Sequence, residues 1–101
     1  MNAEGRYSVT ALITGMNPQT GVTVTNDIQL ELEARPHLRN PASQWDAERN
    51  AIVVTLDETA QSAEQAEALS RDELMDIGYA VLDEIDNVRL EIVSVIARQE
   101  K

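Results

Sequence analysis

The chain has 101 residues, 43% of them hydrophobic, no Cys and a formal net charge of −10. That length holds one domain with its own core, and the missing Cys excludes disulfides, thiolate metal sites and thiol nucleophiles. The acidic balance opposes nucleic acid and anionic lipid as partners, and no apolar run approaches the ~20 residues that span a bilayer. The expectation is a single cytoplasmic domain over residues 1–101, with no signal peptide and with 1–5 and 98–101 frayed.

Aromatics are confined to Tyr7, Trp45 and Tyr79, so the core must be aliphatic. Tyr7, Val9, Ala11 and Ile13 alternate with Ser8, Thr10 and Thr14, which predicts a half-buried strand. Gly15 to Gly21 reads as a turn around Pro18. Val22, Val24, Ile28, Leu30 and Leu32 then alternate with polar residues and predict a second strand, bulged near Asn26-Asp27. Two such runs about a short turn make a β-hairpin.

Pro36 and Pro41 interrupt the segment Arg35–Arg49. Asn40-Pro41 there reads as a helix cap followed by a first helical residue, leading into a short turn near Trp45 to Ala47. Ala51 to Leu56 is β-branched and apolar, a buried strand. Ser62 and Gln65 form a capping-box signature for a long helix, Ser62 to Asp86. Val88 to Ala97 predicts the last strand, apolar on both sides in its second half, as for a central or externally covered strand. The expected fold class is therefore α+β. It is a two-layer sandwich with a four-stranded mixed sheet, a β-β-β-α-β variant of ferredoxin-like folds, covered on one face by one long helix.

That helix carries two apolar stripes. Ala63, Ala66, Ser70, Leu74, Ile77, Val81 and Ile85 recur at steps of three and four and can cover a sheet. Ala68, Met75, Tyr79 and Leu82 lie roughly 140° round from them. Single exposed apolar residues are ordinary, but Met75, Tyr79 and Leu82 together make a patch. Ala68, Met75, Tyr79 and Leu82 are the candidate interface, covered either by a second copy or another protein, or by the chain's own segment 35–49.

No catalytic constellation stands out. Gly-x-Ser-x-Gly, Gly-x-Gly-x-x-Gly and the phosphate-binding Gly-Lys-Ser/Thr are absent, and His37 is the one histidine. Ten of the 18 acids fall between Asp57 and Asp86, opposed there only by Arg71. Asp72 and Asp76 share a helix face but lack the ligand spacing of a calcium loop. A solvated face is the plainer reading. Arg35, His37, Arg39, Trp45 and Arg49 form a candidate ligand patch for an anionic or planar molecule. The plainer alternative pairs these arginines with surplus acids while Trp45 plugs the end of the sandwich.

Tyr7 to Leu30, with its Asn17-Pro18-Gln19-Thr20-Gly21 turn, resembles locally the first hairpin of the tunnelling-fold pterin synthases. With one His and no Cys the chain lacks that family's zinc-binding histidines and catalytic Cys, so the likeness implies no shared function. The functional expectation is a small, acidic, non-enzymatic interaction module, homodimeric, with no cofactor or metal. An anionic-ligand-binding protein using 35–49, or an acidic inhibitor of a basic protein, are the alternatives.

Overall fold

The computed structural model describes residues 4–82 and 90–100. The elements run β1 (Gly5–Thr14), α1 (Pro18–Glu33), β2 (Arg39–Asp46), β3 (Ala51–Ala60), α2 (Ala63–Leu82) and β4 (Glu91–Gln99). The four strands form one sheet in the order β2-β3-β1-β4. Every neighbouring pair is antiparallel. β1 and β2 therefore run the same way with β3 between them, and β3 and β4 run the same way with β1 between them. This is the split β-α-β arrangement. α1 lies over β2 and β3, α2 over β4, β3 and β1, and the helices touch each other.

The expected α+β class with a four-stranded sheet holds, but the sheet is antiparallel rather than mixed and carries two helices rather than one. The largest correction is at 18–33, which forms a helix and not the second arm of a hairpin. The Asn17 side chain accepts a hydrogen bond from the Thr20 amide at 2.8 Å, and Pro18 follows in the first turn. The Asn-Pro pair is thus a helix start, where a missing N–H costs nothing. Gly21, Val24, Thr25, Ile28 and Leu32 are buried at helical spacing. Val24, Ile28 and Leu32 satisfy both period two and a four-residue step, which is why the run also reads as a strand. Val22 and Leu30, needed only by the strand pattern, are left exposed. The local likeness to a pterin-synthase hairpin falls with the hairpin.

The second correction is β2, built from residues expected to hold a helical turn. Asn40-Pro41 is no helix cap there. It marks a register shift between Arg39 and Ala42, with Asn40 at φ 50°. β2 is an edge strand, where a proline without an N–H is tolerated. The Asp46 carboxylate accepts from the Glu48 and Arg49 amides, and Asn50 takes φ 53°, closing the turn into β3. β3 continues past Leu56 through Asp57, Glu58 and Thr59 to Ala60. β4 runs to Gln99 and lies at the sheet edge, not its centre. Val88 of the predicted strand, and Asp83 to Asp86 of the predicted helix, lie outside the described residues.

The capping box of α2 forms with a small offset. Ser62 Oγ accepts from the Gln65 amide at 3.1 Å, while Gln65 Oε1 accepts from the Gln61 amide at 2.6 Å rather than from Ser62. The first stripe is buried at Ala66, Ser70, Leu74, Ile77 and Val81. It packs with Val9, Ala11 and Ile13 of β1, Ile52, Val54 and Leu56 of β3, and Val24, Ile28 and Leu32 of α1. The opposite sheet face, with Arg6, Ser8 and Thr10 on β1, is open.

Trp45 is half-buried against this core and reaches α1 at Gly21. A Cβ at Gly21 would lie 2.6 Å from Trp45 Cε3, well inside contact distance. Gly21→Ala is therefore expected to cost about 1–3 kcal/mol through overpacking. Ile77→Ala is expected to cost about 2–5 kcal/mol through the cavity it leaves. Urea unfolding followed by far-UV circular dichroism measures both. Combining Gly21→Ala with Trp45→Leu should recover much of the first loss, because the offending ring is gone.

Candidate interaction surface

α2 presents its second stripe outward. Met75 is 46% and Tyr79 66% exposed, and Ala68 is exposed on the same helix. Leu82 is the last residue of α2, and its side chain lies outside the description. Met75 and Tyr79 border a groove of about 320 Å³ between α2 and the start of β4. Ile13, Ile28 and Leu74 belong to the core and reach the groove wall, and Leu90 and Ile92 form its far side. Among the described residues, Arg71 and Glu91, both exposed, are the charged ones lining it. None of the lining residues comes from 35–49. Met75 and Tyr79 follow from helical spacing alone. Leu90 and Ile92 do not, because their approach to α2 is set by the position of β4 at the sheet edge.

The residues of the ligand patch are distributed over the molecule. Arg35 follows α1, and its Nη1 donates to the Glu31 carbonyl at 2.8 Å and lies 3.1 Å from Glu31 Oε1. Arg35 Nε is 3.8 Å from Glu73 Oε2. His37 Nε2 is 2.8 Å from Glu73 Oε1. Arg35 and His37 thus meet on one carboxylate of α2. Arg39 starts β2 on an exposed position opposite Asp57. Trp45 lies near the other end of β2, about 20 Å along the strand at ~3.3 Å per residue, and Arg49 in the turn beyond it. Arg49 Nη1 is 3.8 Å from Asp46 Oδ2.

A second group of polar residues sits beside Glu73. Ser70 is fully buried and its Oγ donates to Glu58 Oε1 at 3.4 Å, a long bond. Burial pushes the Glu58 carboxyl up from its ordinary pKa and the Glu73 charge adds to this, while the Ser70 hydroxyl and His37 pull the other way. The signal in the sequence was Ser70 itself, a hydroxyl on an apolar stripe. Its partner on β3 is not legible there, because the pairing is long-range.

Among the described residues no group of three or more His, Asp and Glu is placed to hold a metal, and no helix is long and apolar enough to cross a membrane. Compared with known family models, curated proteins and solved structures, the chain matches none of them.

The raised Glu58 pKa has a definite sign for stability. The neutral carboxyl favours the fold, so its contribution is present below the ordinary Glu pKa and is lost as pH rises through the raised folded value. Glu58→Gln keeps an acceptor for Ser70 and removes that loss. Its urea midpoint should exceed that of the wild type at pH 7, and the difference should shrink toward pH 4. Urea titrations across that range measure it.

Proposed function

We propose that this chain is a small acidic interaction module, built on a ferredoxin-like frame and not an enzyme, which self-associates through the α2 stripe. The observation that carries this reading is the exposure of Met75 and Tyr79 beside an apolar groove floored by core residues. Large side chains left open at the mouth of a concave apolar surface lose water favourably when a partner covers them. A second copy suits the surface because Arg71 and Glu91, of opposite sign, line the same groove. A two-fold contact is isologous, so each can face the other's counterpart. The chain's charge of −10 opposes indiscriminate self-association, which favours a contact confined to this patch.

Sedimentation velocity at micromolar to millimolar concentration tests the reading. The wild type is expected to reach a dimer. The Met75→Lys/Tyr79→Lys variant should sediment as a monomer with an unchanged circular dichroism spectrum. A wild type that stays monomeric throughout, or a double variant that dimerises equally well, would overturn it.

A further inference from the structure

The two edges of the sheet are β2 and β4, and each is closed by one side chain from the helix above it. On β2, the Ser43 amide donates to Gln29 Oε1 of α1 at 2.8 Å, and Ser43 Oγ donates to the same oxygen at 2.8 Å. On β4, the Ala97 amide donates to Glu67 Oε2 of α2 at 2.9 Å. Each helix thus supplies an oxygen where a further strand would supply a carbonyl. An uncovered edge is a template for pairing with another chain.

The edges are not equally protected. β2 also carries Pro41 and the register shift at Asn40, which break any continuous ladder. β4 pairs regularly with β1 from Ser94 to Gln99 and contains no proline. The Glu100 amide donates to the Arg6 carbonyl on the β1 side, while the Ala97 amide turns away from β1. Antiparallel alternation then turns the backbone groups of Val95 and Gln99 outward as well. Glu67 closes the middle of that row.

We propose that β4 is a strand-addition edge held shut by Glu67, and that the strand it accepts when Glu67 withdraws is β4 of a second copy, running antiparallel. The outward row of β4 fits a second copy of itself. Val95, Ala97 and Gln99 lie in the stretch that pairs regularly with β1, clear of the register shift that sets Ile92 opposite Ile13. A two-fold axis at Ala97 keeps the contact within that stretch, with Ala97 opposite Ala97 of the second copy and Val95 opposite its Gln99. The same axis places exposed Ile96 against the aliphatic stem of Arg98 of the second copy, so its side chain gains cover on the open sheet face. The two sheets become one. This contact uses the backbone edge and does not depend on the Met75–Tyr79 groove.

Amide hydrogen exchange and sedimentation of wild type, Glu67→Ala and Glu67→Gln test the proposal. In the wild type, the Ala97 amide should exchange about tenfold or more slowly than that of Gln99, as expected for a charge-assisted hydrogen bond. Equal exchange overturns the proposal before any variant is made. In the monomeric Met75→Lys/Tyr79→Lys background, Glu67→Ala should dimerise about tenfold or more tightly than its parent, with new protection at Val95, Ala97 and Gln99. Glu67→Gln keeps an acceptor, as Gln29 does on β2, and should match the wild type. Adding Ala97→Pro to Glu67→Ala removes the pairing N–H and should restore the wild-type association state. With the groove intact, Glu67→Ala should instead join groove dimers into larger assemblies, which separates this edge from the groove. Unchanged association in Glu67→Ala, association without protection on β4, or association of Glu67→Gln to the same extent would overturn it.

Discussion

β1 is hydrogen-bonded on both sides, to β3 and to β4, and its register fixes what every other element can bury. Val9, Ala11 and Ile13 stand opposite Leu56, Val54 and Ile52 on one side, and Val9 and Ala11 stand opposite Ala97 and Val95 on the other. These rows form the floor on which both helices rest. A slip of one residue would turn Ser8 and Thr10 under the helices and put Val9 and Ala11 in water. The alternation along β1 is therefore the constraint from which the two-layer architecture follows. The irregularity between Leu12 and Ile13 falls where β1 reaches the groove that Ile13 and Ile92 line.

What could be read from the residues depended on whether local pattern and tertiary packing agreed. β1 and α2 were legible because alternation in one and steps of three and four in the other admit a single reading. α1 was not. Its β-branched run from Val22 to Thr25 favours a strand, and packing of Val24, Ile28 and Leu32 on the sheet overrides that preference. β2 was hidden because Arg39 to Asp46 is polar, contains a proline and offers little apolar alternation. The strand order was beyond reach for a different reason: β1 pairs with two strands that lie far from it in the chain, and no local pattern records such partners.

The surface charges show a division of labour. Glu73 gathers Arg35 and His37 and ties the segment after α1 to α2. Asp46 organises the turn between β2 and β3 and pairs with Arg49. Exposed pairs of this kind contribute little each to stability, but they fix where connecting segments lie. Arg35, His37 and Arg49 are thus spent on connections, while Arg71 and Glu91 are the charged residues among the described lining of the Met75–Tyr79 groove. That sparing use of charge leaves the face apolar, and Met75 and Tyr79 were legible for the same reason.

The scarcity of aromatic rings turns the molecule into its own optical instrument. Trp45 is the single indole of the chain and sits where β2 meets α1. Tyr7 is buried on β1, and Tyr79 stands at the groove in water. Indole fluorescence therefore follows the first half of the fold alone, while phenol absorbance follows the central strand and the outer face of α2. A domain that unfolds in one step must show the two signals changing together. Any divergence between them locates, without a label, the half that opens first.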